Sequence, residues 1–231
     1  MEPLIPRRQR ARKILRVLRK ALSIRKRDFA SVIVADETHD MFRTLVVTIL
    51  SQSCTDVAAL KAYRKLDEVV GVTLHDLAAA QRSTIAAAIR VAGLYRQKAI
   101  ALKQLDQIVS QNYHGNIFCI LDQPVEQARE ELQKLPKVGP KTADVILSIW
   151  GKTTISVDTH VDRVSKRLGL TPPDSNYEQV RSTLMKLYNT REYKLIPLHW
   201  MTHGRKYCKA RGPLCSTCPI EDLCTYEAKI R

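Results

Sequence analysis

Four cysteines crowd into seventeen residues near the end of this chain, as Cys208-x6-Cys215-x2-Cys218-x5-Cys224. A run so short and loop-rich is held by what its ligands bind rather than by a core of its own. Three readings are open. Zinc sites usually offer their ligands as two short knuckles, and here only Cys215 and Cys218 have x2 spacing. A [4Fe–4S] cube is a larger object on four thiolates, and longer ligand loops suit it. Two disulfides fit least, because no secretory signal is expected and Cys54 and Cys119 lie far away in sequence. The spacing favours an iron–sulfur cluster over zinc, with Cys208, Cys215, Cys218 and Cys224 as its ligands.

The rest of the chain is patterned for helices. Apolar residues return at helical spacing over 41–50, 56–69, 83–91, 98–110, 125–135, 142–150, 160–168 and 177–188. Breakers fall between these runs: Gly71, Gly93, Gly115, Pro124, Pro136 with Gly139, Gly151, Gly169 and Pro172-Pro173. Asp122 is placed to cap the helix that begins near Pro124. The one strand candidate, 153–157, reads better as a linker. These patterns predict an all-α protein, and the segment after Met201 is expected to be loop-rich.

Charge narrows the class of partner. Lys and Arg number 38 against 23 Asp and Glu, a formal +15 in 231 residues. Such a field favours polyanions, nucleic acid before acidic lipid. No apolar run approaches the roughly 18 residues that a membrane-spanning helix needs. The basic residues are uneven: positions 7–27 hold eleven, with no acid. Ile14, Leu15, Val17, Leu18 and Leu22 recur there at helical spacing, which describes an amphipathic helix with a solvated basic face. A mitochondrial transit peptide has a similar composition, but no Ser-rich flexible segment separates this stretch from the body.

The segment Leu135-Pro-Lys137-Val138-Gly139-Pro-Lys141-Thr-Ala joins two helical runs by a tight turn. Gly139 permits a close approach or a positive φ. The next helix starts with amides that have no intrahelical acceptor, and a phosphate oxygen can take them at the positive end of the helix dipole. Such a hairpin holds a sugar–phosphate backbone without reading bases. Alone the turn says little, since many interhelical turns look like it.

Leu-Pro-Lys-Val-Gly-Pro-Lys-Thr-Ala-Asp at 135–144, Val-Asp-Thr-His-Val-Asp-Arg-Val at 157–164 and the cysteine tail, in that order, resemble the endonuclease III family of helix-hairpin-helix DNA glycosylases. The likeness extends to Gly93-Leu94-Tyr95 with Lys98, to Ile49-Leu50-Ser51-Gln52 with Thr55-Asp56, and to the N-terminal helix. It implies two helical domains with a DNA groove between them. One is a six-helix domain at 37–155 bearing the hairpin, and the other is built from 1–36 and 156–231 and carries a [4Fe–4S] cluster.

The resemblance also implies roles. Lys141 is the nucleophile that attacks C1′ of the damaged nucleotide and forms a Schiff base; from the residues alone it reads equally as a phosphate-binding lysine. Asp158 is the carboxylate that stabilises positive charge on the sugar and assists proton movement, or an N-cap, or both. Leu94 matches the wedge that fills the hole left by a flipped nucleotide, against the alternative of a core leucine. Gln52 or Ser53 faces the orphaned base. Lys137 stands where the family usually has glycine, so a positive φ there would cost about 1–2 kcal/mol, while its charge adds a phosphate contact alongside Val138 and Gly139. Lys209 and Arg211 are placed to meet phosphates. Arg163 matches an arginine that could donate to a cluster sulfur. His160, His199 and His203 read as packing or phosphate contacts, and Cys54 and Cys119 as buried, inert thiols.

The expected function is base excision with abasic-site lyase activity on oxidised pyrimidines in double-stranded DNA. The chain would act as a monomer in a reducing, DNA-containing compartment: cytoplasm or nucleoid, or nucleus if eukaryotic. A monofunctional mismatch glycosylase for thymine or adenine is the near rival, and Lys141 speaks against it. A non-catalytic iron–sulfur DNA-binding or redox-sensing protein would bind DNA without base release. A zinc-binding interaction module would be colourless.

Overall fold

The computed structural model describes residues 2–24 and 28–229. Arg25, Lys26 and Arg27 of the basic stretch lie outside them. Among the described residues there are helices, turns and extended connections but no strand. The chain forms two compact units. One takes the chain up to Ile24 and again from Thr153, and the other runs between them to Lys152. Among the described residues no helix is long and apolar enough to cross a membrane.

Helix α1 (Leu4–Ala21) opens the terminal unit. The central unit holds α2 (Ala30–Thr38), α3 (Met41–Leu50), α4 (Asp56–Val69), α5 (Leu74–Ala79), α6 (Arg82–Ala88), α7 (Tyr95–Tyr113), α8 (Val125–Gln133) and α9 (Pro140–Ile149). The chain then returns to the terminal unit with α10 (Thr159–Arg167), α11 (Tyr177–Leu187) and α12 (Leu195–Lys206). The sequence boundaries at 37 and 155 differ from this division for a packing reason. Ala30 and Val34 of α2 are wholly buried in the central core, so α2 belongs there. Ile155 and Val157 are buried in the terminal core.

The central unit is organised by α3. Nine of its ten residues are buried, from Met41 to Leu50, and only Arg43 reaches out, to Asp67 and the Tyr63 hydroxyl. A helix apolar all round needs neighbours on every side, and α2, α4, α7 and α9 pack against it. Asp40 starts it by accepting from the amides of Phe42 and Arg43 at 2.7 and 3.1 Å.

In the terminal unit α1 buries Ala11, Ile14, Leu15 and Leu18 against α11 and α12. Lys13, Arg16, Arg19 and Lys20 are exposed, as the amphipathic pattern requires, but Arg7 and Arg10 turn inward. Arg10 donates to the carbonyls of Leu168 and Leu223 at 2.6 and 3.1 Å, tying α1 to the end of α10 and to the tail.

Three helices lie where the sequence pattern is weak. Helices α2 and α5 are short. Pro197 and Gly204 disguise α12, yet Pro197 falls in its first turn, where no intrahelical hydrogen bond is lost. Gly204 lets α12 approach α10, since a Cβ there would meet His160 Nδ1 at 2.9 Å and Arg163 at 3.2 Å. The chain after Met201 therefore stays helical to Lys206 before the loops begin. Asp122 is not a cap: it ends a 3₁₀ turn (Ile117–Asp122), and α8 follows Pro124 with no side-chain cap. Residues 153–157 form an extended connection, with Thr154, Ile155, Ser156 and Val157 buried.

Candidate active site

Within the central unit, α8, the turn at 134–139 and α9 make the hairpin. A buried ion pair braces its two helices. Arg129 of α8 meets both carboxylate oxygens of Asp144 on α9, Nε to Oδ1 at 2.9 Å and a terminal nitrogen to Oδ2 at 3.1 Å. Asp144 has no exposure at all, and the bidentate fork offsets the cost of burying its charge. Val138 is buried in the core and its amide donates to the Leu135 carbonyl at 3.1 Å, closing the turn.

The conformational burden falls on Lys137, not on Gly139. Lys137 has φ 62°, whereas Gly139 is extended at φ −95°. A Cβ built at Gly139 meets nothing within 4 Å, so the backbone there is open. Pro140 takes the first helical position, where it lacks no needed donor. The amides of Lys141 and Thr142 follow it into the first turn of α9, where no intrahelical carbonyl can reach them. The side chain of Lys141 is exposed.

Two further turns are fastened to the hairpin. Gln52 donates its amide to the Lys137 carbonyl at 2.7 Å and to Thr142 Oγ1 at 3.2 Å. Lys137 Nζ donates to Gln97 Oε1 at 2.9 Å. Ser53 is left-handed at φ 52°, and so is Leu94 at φ 48°, which is 52 % exposed. An exposed leucine forgoes part of the roughly 1.5–3 kcal/mol that burial offers, and its backbone costs a further 1–2 kcal/mol or so. A core role is therefore ruled out. Among the described residues five non-glycines have positive φ. His39 and His114 do so as the left-handed caps of α2 and α7. Ser53, Leu94 and Lys137 end no helix in this way, and all three are positions the sequence assigns to DNA contact.

In the terminal unit Asp158 is the N-cap of α10. Its Oδ1 accepts from the amides of His160 and Val161 at 2.9 and 2.7 Å. Both bonds fall on one oxygen, which leaves Oδ2 of this half-buried carboxylate available for other work.

The four tail cysteines line one pocket together with Arg167, Leu168, Tyr207 and Ile220. Among the described residues no three of His, Cys, Asp and Glu converge on a single metal ion. A tetrahedral zinc ion would draw four sulfurs to about 2.3 Å from one point, whereas a cube spreads its ligands over four irons. Four thiols ringing one apolar-walled pocket fit the cube. Burial pushes the Cys218 thiol up to about 11 and raises that of Cys224. Arg167, not Arg163, faces a tail-cysteine sulfur: its guanidinium lies 3.5 Å from Cys208 Sγ and donates to the carbonyls of Lys209 and Ala210. Arg163 instead donates to the Cys208 carbonyl at 3.0 Å and packs on His160. Lys209 and Arg211 are exposed on the loop between the first two cysteines.

The histidines are packing groups. His199 bonds the Leu195 carbonyl within its own helix at 2.7 Å. His203 is buried with its basicity lowered to about 4 by desolvation. Cys54 and Cys119 are only half-buried, each donating to a nearby carbonyl, of Thr55 and Asn116. Sequence reasoning assigns no role to Arg167, Arg129 or Thr142, and it notes Lys98 only as part of the family likeness.

Residues 46–190 match the HhH-GPD superfamily of base excision DNA repair proteins. The endonuclease III of Sulfolobus acidocaldarius is 35% identical over 214 residues, 90% of this chain and 92% of that protein. The endonuclease III of Escherichia coli K12 is 37% identical over 191 residues, 82% and 85% of the two chains. A solved structure of a trapped endonuclease III–DNA covalent intermediate, an estranged-adenine complex, superposes with a TM-score of 0.76. It is 33% identical and covers 94% of this chain and 95% of that one.

Proposed function

Because this chain belongs to the endonuclease III family of helix-hairpin-helix base excision repair proteins, we propose that it is a bifunctional DNA glycosylase and abasic-site lyase. Its substrates are oxidised pyrimidines in double-stranded DNA. The observation that carries this reading is an exposed lysine, Lys141, on the first turn of a helix whose preceding turn is open at Gly139.

A base inside the duplex is out of reach, so its nucleotide is turned out. Leu94 enters the hole, and Gln52 or Ser53 meets the orphaned partner. Lys137, Val138 and Gly139 hold the backbone through a phosphate at the free amides of α9, and Lys209 and Arg211 add phosphate contacts. The neutral amine of Lys141 attacks C1′ as the glycosidic bond breaks. The bonding pair leaves with the base, which takes up a proton. Ring opening gives a Schiff base between Nζ and C1′. That makes the C2′ proton acidic, and its loss expels the 3′ phosphate and nicks the strand. Asp158 has Oδ1 fixed by two amides, so Oδ2 is the atom to face positive charge developing on the sugar and to move protons.

Cys208, Cys215, Cys218 and Cys224 hold a [4Fe–4S] cluster that fixes the tail and its basic loop. The protein acts as a monomer in a reducing, DNA-containing compartment. A duplex carrying one oxidised thymine tests the assignment. Base release with strand cleavage is expected from wild type, and loss of cleavage from Lys141→Ala. Release of the base without any nick would move the protein to the monofunctional class.

A further inference from the structure

Lys98 is 1 % exposed, almost unique company for an ammonium group in a core of alanine and leucine. It lies in the first turn of α7, where the helix dipole opposes a cation. Burial lowers its basicity as well. A methionine or leucine would fill this volume at no electrostatic penalty, so the charge has a use. That use is visible in its partners. Nζ donates to the carbonyls of Leu50 at 2.8 Å, Gln52 at 2.7 Å and Ala92 at 2.9 Å. An ammonium has three donors, and all three are engaged.

Those carbonyls are not arbitrary. Leu50 is the last residue of α3, and Ala92 is the last of a 3₁₀ turn (Arg90–Ala92). Carbonyls at helix ends lack intrahelical partners and carry negative partial charge. One cation therefore satisfies two helix ends and the turn that follows the first. Immediately beyond these anchor points stand Ser53 at φ 52°, Gly93 at φ 64° and Leu94 at φ 48°. The neighbouring Gln97 takes the Lys137 ammonium, and the Gln52 side chain takes the Lys137 carbonyl. The three strained turns thus form one connected assembly, and Lys98 bonds the backbone of two of them.

We propose that Lys98 is a positioning residue that locks the Gln52–Ser53 turn and the Leu94 loop together in their strained forms, so that wedge and orphan-base contact enter the duplex as one preassembled unit. This rests on the glycosylase reading above. Lys98 touches no reacting atom; it acts through Leu94 and Gln52.

The test uses full-length protein in which Lys98 is replaced by methionine, similar in length and without charge. Four readouts are taken: thermal melting, affinity for a lesion duplex, single-turnover base release at saturating enzyme, and fluorescence of 2-aminopurine placed opposite the lesion, which reports unstacking. Misplacement of about 1 Å can lower a rate about 10²-fold, so base release is expected to fall by that order. The fluorescence rise on binding should disappear, while affinity, set by phosphate contacts, changes by less than about threefold. A double-mutant cycle with Leu94→Ala should be strongly non-additive. Where Lys98→Met does not fold, Lys98→Gln, with two amide donors for three, gives an intermediate loss by the same readouts. A folded variant with wild-type base release and fluorescence would overturn the proposal. So would a parallel fall of every readout with the folded fraction, which marks a merely structural lysine. Absence of base release from wild type on any lesion duplex would instead overturn the glycosylase reading.

Discussion

The turns around Lys98 and the loops around Cys218 both hold irregular backbone, and they do so by opposite means. At Lys98 a charge is buried with three carbonyl partners, each within 2.9 Å. The turns it anchors rest on the largest core in the chain. At Cys218 burial pushes the thiol up to about 11 against the opposing pull of the Ile220 amide, and His203 Nε2 stands 3.9 Å from the sulfur. The first region is complete in polypeptide. The second is, on the reading proposed above, a ring of thiolates held by a bound cluster. Removing a bound group should therefore cost the tail nearly everything and the hairpin almost nothing.

The largest effect follows from that contrast. Cys218→Ala is expected to abolish bound iron and visible colour and to open 208–224 to trypsin at Lys209 and Arg211, with the central unit still resistant. Iron content and limited proteolysis check it, and a trypsin-resistant tail without iron would break the comparison. Next comes the hairpin's own brace. Arg129→Met strips both arginine contacts from the buried Asp144 carboxylate, so a loss of about 3–5 kcal/mol is expected in urea unfolding. The paired replacement Arg129→Met with Asp144→Leu should recover most of it. A smaller effect is expected at Lys137. Glycine relieves roughly 1–2 kcal/mol of left-handed strain but adds backbone entropy worth about 0.5–1 kcal/mol, so stability should hold or rise slightly. The slope of log affinity against log salt should nonetheless fall by about 0.9 with one phosphate contact gone.

The smallest effect lies at the rear of the hairpin. Lys134 first, and the Tyr113 hydroxyl second, hold the Glu131 carboxyl below its usual range. A depressed carboxylate contributes stability above its unfolded value, near 4.3, and loses it as pH falls through the lower folded value. Glu131→Gln should cost about 0.5 kcal/mol at pH 7 and nothing measurable in strong acid. Denaturation across that range reads it directly.

Helical spacing made most of α4, α8 and α11 legible from sequence alone, because their apolar stripes are regular, and α3 because its run is apolar nearly throughout. Helix α12 was hidden by Pro197 and Gly204, whose effects depend on a first-turn position and on the nearness of α10. The tail cysteines, Lys141 and Asp158 stand out as motif residues. Their supports do not, because support is a matter of which atoms meet across long sequence separation. Arg167 and Arg163 are four residues apart on one helix, and only the fold decides which reaches Cys208 Sγ. Asp144 did carry a signal: a carboxylate in the apolar run Thr142–Leu147 must have a cationic partner. Lys98 carried the mirror signal, a lone ammonium between Gln97 and Ala99 near the start of an apolar helix.

The central claim is that Lys141 is the nucleophile. Borohydride trapping on a duplex with one abasic site, wild type beside Lys141→Ala, tests it most directly. A covalent protein–DNA adduct in wild type and none in the variant is the expected result. No adduct from a wild-type protein that binds the duplex, or an equal adduct from Lys141→Ala, would contradict it.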